Sequence, residues 1–189
     1  MTHVNTLSVS TNTYYIISTF DGKVTNCSLS ELSQKLKLNS ILCELNGNGT
    51  LIDSWPLVHE TLVTFAVEFA DYTLLNYAEQ KLPEAERCIT LTRKWLENHN
   101  SVSVEELKSA AYAANAAHAA HAAHAATNAA YAAANAATYA AYAAYAAANA
   151  AAHAASNAAA WAANDVGKNR EAELIRQGQF IVGYLRSSG

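Results

Sequence analysis

The residues best suited to chemistry in this sequence are histidines, tyrosines and asparagines spaced regularly in an alanine background. From Ser109 to Asn164 the chain has no Asp, Glu, Lys, Arg, Gly or Pro, and its polar and aromatic side chains recur every third or fourth position. That interval predicts a stripe along an α-helix, which drifts around the axis from Tyr112 to His124 and stays on one face from Tyr131 onward. The sequence predicts ligand contacts along this stripe at His118, His121, His124, Tyr139, Tyr142, Tyr145, Asn149, His153 and Trp161.

The three histidines form the pattern H-x-x-H-x-x-H. Neighbours three apart on a helix can both reach one metal ion. His118 and His124, however, lie about 120° apart around the axis, and no Cys, Asp or Glu is near them in sequence. We interpret them as polar spacers, with contact to a ligand or partner as the alternative. Neither a metal site nor a cofactor is predicted.

The tyrosines from Tyr139 to Tyr145 have two readings. Aromatic faces beside amide and imidazole groups suit a flat, polar ligand such as a nucleotide base. The interpretation that we favour is the seam of a helical bundle, with Tyr and Asn hydrogen-bonded across it to fix its register. A groove for a ligand or partner is the alternative. No nucleophile, base and orienting group can be picked out, so no catalytic residue is predicted and the chain is read as a non-enzyme.

The element that carries these residues must be helical, because alanine is the best helix former and no helix breaker interrupts it. One helix over this stretch would be roughly 84 Å long. A compact chain of this size should be only about 40 Å across. The array is therefore predicted to fold back. Ala126-Thr127-Asn128 is the favoured position, and Ala155-Ser156-Asn157 is the second possible one.

The preceding elements are predicted to form a small N-terminal β-β-α-β-β module over residues 1–55. Strand-forming residues surround Asp21-Gly22, read as a two-residue hairpin turn, and a second pair of runs flanks the Asn-Gly repeat at 46–49. Ser28 and Glu31 have the spacing of a capping box that opens a short helix. One face of this sheet is expected to pack on the helices.

The remaining residues, 56–189, are predicted to form an alanine-rich helical bundle, which makes the fold mainly α (α+β overall). The first long helix is expected to begin at Ser54-Trp55-Pro56 and the second at Leu82-Pro83-Glu84. A capping box at Ser103 and Glu106 should open the array. The last helix is predicted over 168–186, with Gly178 allowing close packing and an apolar side of Leu174, Ile175, Ile181, Val182 and Leu185.

Composition narrows the class of function. The chain of 189 residues has a net charge of −4 and three widely spaced cysteines. It shows no basic patch for nucleic acid. Polar residues at every third or fourth position argue against a membrane span. The thiols indicate a reducing compartment, so a cytoplasmic protein without a signal peptide is predicted.

The order of the helical pieces resembles the alanine-rich immunity-protein family of bacterial polymorphic-toxin systems. The order is LPEAERCITLTRKWLE, then the array with AAHAAHAAH, then NREAELIRQGQFIVGYL. The resemblance covers roughly 65–185 and is closest in Ala85–Trp95, the alanine array and Arg170–Leu185. Similar Tyr/Asn/Ala arrays occur in phage-encoded proteins, for which the host-cell cytoplasm would be the compartment. The resemblance implies a non-catalytic protein and supplies no site motif.

These features predict a non-enzymatic immunity or anti-defence binding protein that sequesters or blocks a toxin or host defence protein. The contact is expected at a surface of the bundle, where Glu68 and Asp71 are charged candidates, or at the edge of the N-terminal sheet. The alternatives are a sponge for a nucleotide-like signalling molecule in a Tyr/His/Asn-lined pocket, and a structural module that forms a homo-oligomer through the stripe.

Overall fold

The computed structural model describes residues 12–77, 83–123, 156, 157, 159, 160 and 169–188. Within these ranges a four-stranded antiparallel sheet precedes several long helices, so the mainly helical α+β architecture is confirmed. The division into units 1–55 and 56–189 stays a prediction. The elements are β1 (Thr13–Ser18), β2 (Val24–Cys27), a 3-10 turn (Leu29–Glu31), α1 (Leu32–Lys35), β3 (Ser40–Leu45), β4 (Leu51–Leu57), α2 (His59–Tyr77), α3 (Pro83–Glu97), α4 (Val104–Ala123) and α5 (Arg170–Ser188).

The sheet is built from two hairpins in the order β2-β1-β3-β4. β1 ends at Ser18 and β2 begins at Val24, so the predicted two-residue turn at Asp21-Gly22 is wrong. The longer connection closes when the Gly22 amide donates to the Ser18 carbonyl, with Gly22 at a φ of 67°. The second hairpin turns within the predicted Asn-Gly repeat, where the Asn46 amide donates to the Thr50 carbonyl.

One face of the sheet enters the core, as expected. Alternate strand residues lie on the same face, and β3 pairs antiparallel with β1 and β4. The buried residues of this face are Tyr14, Ile16, Cys27, Ser40, Leu42, Glu44, Trp55 and Leu57. The apolar members join one cluster with side chains of α2, α3 and α5, including Leu62, Phe65, Phe69, Ile89 and Ile181.

The first long helix begins at His59, so its predicted start at Ser54-Trp55-Pro56 is wrong. Trp55 pairs with Leu42 inside the sheet and is buried, while Pro56 continues β4. β4 is an edge strand, where the missing proline N–H leaves no gap between paired strands. Burial of the indole therefore outweighs the helix-start signal of Pro56.

The second and third long helices begin where the sequence predicts. α3 starts at Pro83 and buries Ala85, Cys88, Ile89 and Thr92. Ahead of α4, the Ser103 amide donates to Glu106 Oε2 at 3.0 Å, and the Glu106 amide donates to Ser103 Oγ at 3.2 Å. The predicted capping box is thus confirmed, and it starts the alanine array as a helix. The predicted fold-back at 126–128 lies outside the described residues. At the second predicted position, Ser156 and Asn157 are helical.

The last helix, α5, packs against the N-terminal module. Gly178 is buried, and a Cβ built on it would lie 2.0 Å from the carbonyl oxygen of Leu29, so the predicted close approach is confirmed. Leu174, Ile181, Val182 and Leu185 are buried, but Ile175 is exposed, which corrects its assignment to the apolar side. Ile175 follows Leu174 by one position, about 100° around the helix, and so turns off the buried face.

Candidate protein-binding groove

The predicted ligand-binding residues cannot be placed as a site. His118 and His121 fall within α4, whose described part ends at Ala123, and their side chains are not among those described. His124, Tyr139, Tyr142, Tyr145, Asn149, His153 and Trp161 lie outside the described residues. Their role as ligand contacts therefore stays a prediction. Among the described residues, no group of three His, Cys, Asp or Glu side chains could hold a metal ion.

Among the described residues, β2 and β4 are the outer strands of the sheet, and both are poor places for a partner strand. β4 contains Pro56, and its pairing with β3 shifts register between Glu44 and Leu45. Proline and bulges are common protections of edge strands. β2 is only four residues long, and Lys35 Nζ donates to its Asn26 carbonyl at 3.2 Å. The helical surface is consequently the better candidate for a contact.

A groove of about 240 Å³ lies between α2 and α5. Leu75 is 75% exposed at its rim, and Phe180 forms part of its half-buried wall. The described residues that line it are Glu68, Phe69, Asp71, Tyr72, Leu75, Arg176 and Phe180. An exposed leucine beside aromatic side chains and carboxylates is typical of a protein-contact surface, because such surfaces combine an apolar centre with a charged rim.

Helical periodicity brings these residues to the groove. On α2, Glu68, Tyr72 and Leu75 follow the i, i+4, i+7 pattern and share one side of the helix. On α5, Arg176 and Phe180 are four positions apart. The Phe180 ring packs edge-on against Phe69 in the core, with the centroids 6.2 Å apart. The groove is thus formed by helical residues with one wall fixed to the core.

Two carboxylates of α2 share one guanidinium of α3. Arg93 Nη2 donates to Glu68 Oε1 and to Asp71 Oδ2, each at 2.8 Å. Burial of Arg93 lowers the pKa of its guanidinium, but the bonds to Glu68 and Asp71 outweigh this and raise it. Arg93 therefore stays charged, and the three groups together carry one net negative charge.

A second ion pair closes the other side of the groove. Arg176 donates from Nε to Glu173 Oε2 at 2.9 Å and from Nη2 to Glu173 Oε1 at 2.7 Å. Its guanidinium carbon lies 3.4 Å from the centroid of the Tyr72 ring. Because a carboxylate and an aromatic face both hold this arginine, its charge is already balanced and its position is fixed.

The groove can receive a side chain of another protein. Its volume is below the roughly 300 Å³ at which small-molecule sites begin, so a whole nucleotide is a poor fit. The sequence singled out Glu68 and Asp71 as surface charges but missed Leu75, Arg176 and Phe180. The i+7 spacing from Glu68 to Leu75 was the signal available for α2, whereas nothing local indicated that α5 lies beside it.

No described helix is long and apolar enough to cross a membrane. Comparison of the chain with protein-family models, curated proteins and solved structures finds no match. The resemblance to the immunity-protein family therefore remains an interpretation of the residues that carry it.

Proposed function

We propose that this protein is a non-enzymatic binding protein of the immunity or anti-defence type, which sequesters or blocks a toxin or a host defence protein. The groove between α2 and α5 is its contact surface. The observation that carries this proposal is Leu75, a leucine 75% exposed beside an incompletely balanced pair of carboxylates.

The groove between α2 and α5 suits a protein partner better than the edges of the sheet do. Partners are usually held by a few apolar or aromatic side chains in a preformed depression, with charges around it. Helical residues present such side chains with little loss of conformational freedom, since their backbone is already fixed. The protected edges of the sheet offer neither a preformed depression nor helical side chains around it.

Affinity capture with matched variants tests the proposal. The full-length chain, Leu75→Ala and Leu51→Ala are each used as bait in the cells that express the protein. Leu51 is a second exposed leucine, 56% accessible, located on β4. The proposal predicts one protein captured in stoichiometric amount by the wild type and by Leu51→Ala. Leu75→Ala should weaken its binding by more than about 1 kcal/mol, roughly fivefold in Kd. Equal binding by all three baits would contradict it.

The sponge remains the second candidate, on the strength of the Tyr/His/Asn stripe in the sequence. Native mass spectrometry of the purified protein separates the two. A sponge carries an extra small mass that leaves on mild denaturation, and Tyr142→Ala or His121→Ala removes it without changing the mass of the assembly. If the stripe is a structural seam instead, the same substitutions should lower the helicity of the protein or change its oligomeric mass.

A further inference from the structure

We propose that the groove accepts an arginine side chain of the partner protein, which completes the charge balance around Glu68 and Asp71. This inference rests on the proposed function and specifies the chemistry of the partner at the same surface. Three observations support it: the net charge of the ion-paired groups, the open acceptor positions of the two carboxylates, and the side chains that line the groove.

The local charges are unequal. Glu68 and Asp71 share Arg93, whereas Arg176 pairs with Glu173. Two carboxylates opposite one guanidinium leave one negative charge at the rim. One further cation would neutralise it, and the overall charge of −4 would favour the approach of a basic partner.

The carboxylates retain open acceptor positions. Arg93 engages Glu68 Oε1 and Asp71 Oδ2, and no hydrogen bond from another described residue reaches Glu68 Oε2 or Asp71 Oδ1. The side chains of Glu68 and Asp71 are 37% and 25% exposed. A donor from outside can therefore reach both carboxylates, which lie about one helical turn apart on α2.

The lining favours arginine over lysine. Leu75 and Phe180 offer apolar surface for a methylene chain that ends at the carboxylates. A planar guanidinium pairs with carboxylates through several donors, stacks on aromatic rings and is more weakly hydrated than an ammonium group. The groove already holds one arginine in this way, since Arg176 lies over Tyr72 and pairs with Glu173.

A titration followed by nuclear magnetic resonance tests this with a defined probe. N-acetyl-L-arginine methylamide is added to the isotope-labelled full-length chain, and its citrulline counterpart, nearly the same in shape but uncharged, is the comparison. The proposal predicts saturable shifts at the amides of α2 around 68–75 and of α5 around 176–180. The arginine probe should bind about tenfold more tightly than the citrulline probe, as expected for a charge-assisted pair.

Variants with equal changes in charge make the test specific. Glu68→Gln combined with Asp71→Asn should abolish the preference for arginine. Glu84→Gln combined with Glu86→Gln, which removes two charges from the first turn of α3, should preserve it. The spectra also show whether each variant is folded. If the double variant does not fold, the single variant Glu68→Gln is titrated in its place.

The inference is overturned if the arginine probe causes no saturable shifts, if both probes bind equally, or if the preference survives loss of the two carboxylates. Its failure is distinguishable from failure of the proposed function. If capture depends on Leu75 but the arginine probe shows no preference, the groove still binds a protein. Only the proposal that it accepts an arginine side chain is then refuted.

Discussion

At the scale of single residues, Gly178 determines how closely α5 can approach the N-terminal module. A Cβ at this position would lie 2.0 Å from the Leu29 carbonyl oxygen, which is backbone and cannot rotate away. Gly183, on the same helix, has nothing within 4 Å of its Cβ position. The two glycines therefore form a natural pair for comparison.

We expect Gly178→Ala to lower the free energy of unfolding by about 3 kcal/mol or more, because the helix must move off the 3-10 turn. Gly183→Ala should raise it by up to about 1 kcal/mol, since alanine is the better helix former. Urea denaturation of both variants measures this. Similar effects at the two sites would show that the close approach is absent.

Glu44 is the other residue whose environment is decisive, because its side chain is fully buried on the inner face of β3. Arg186 Nη2 donates to its two oxygens at 2.6 and 2.7 Å, and Asn12 Nδ2 donates to Oε1 at 2.6 Å. The bonds to Glu44 raise the pKa of Arg186. Burial, followed by the nearby Glu44 charge, raises the pKa of Tyr14 to about 12. The phenol thus remains protonated beside the carboxylate.

Replacing Arg186 while Glu44 is kept should destabilise the protein. Arg186→Met is expected to lower the free energy of unfolding by about 2 kcal/mol, because it leaves a buried carboxylate with fewer charged donors. Glu44→Leu combined with Arg186→Met should regain much of this loss. Denaturation of the single and double variants tests the coupling, and simple additivity of the two substitutions would refute it.

At the scale of elements, helix starts depend on short-range polar signals. The Ser28 amide donates to Glu31 Oε2 at 2.9 Å, and Lys35 Nζ donates to Glu31 Oε1 at 2.8 Å. The bond from Lys35, followed by those from Ser28, lowers the pKa of Glu31 to about 2. The ionised carboxylate therefore favours the folded form of this turn.

A depressed pKa gives stability that is present above the unfolded value near 4.5 and lost as the pH falls through the folded value near 2. Glu31→Gln should accordingly unfold at a lower temperature than the wild type at pH 7. The difference should shrink between about pH 4.5 and pH 2. Thermal melts across this range measure it, and a constant gap down to pH 2 would contradict the assignment.

At the scale of the whole molecule, the alanine array is joined to the N-terminal module through buried polar atoms. Ser156 Oγ lies 2.8 Å from Ser33 Oγ on α1 and 2.6 Å from Gln177 Oε1 on α5. Gln177 Nε2 in turn donates to Glu173 Oε1 at 3.0 Å. Ser33, Ser156 and Gln177 are all fully buried, so these contacts hold three distant parts of the chain in one arrangement.

Ser156→Ala should lower the free energy of unfolding by about 1–3 kcal/mol, because it leaves buried partners without a hydrogen bond. Ser109→Ala makes the same chemical change at an exposed position of α4 and should have little effect or stabilise slightly. Chemical denaturation compares the two. Equal stability of both variants would show that the Ser156 contacts contribute nothing.

Sequence alone determined the features that depend on neighbours within about four residues. Both capping boxes, the start of α3 and the first part of the alanine helix were predictable, because helix signals act over one turn. Gly178 indicated that something packs closely there, but not that the neighbour is Leu29. The same local reasoning erred at Asp21-Gly22 and at Pro56, where strand pairing and the burial of Trp55 outweighed the local preference.

Only the tertiary structure decided which remote residues meet. Glu44 and Arg186 are 142 positions apart, and Ser33 and Ser156 are 123 apart. The groove likewise requires Leu75 and Phe180 on two helices whose adjacency no local pattern specifies. Residue type and spacing determine which side of an element is apolar, but the packing of whole elements determines which polar groups become buried partners.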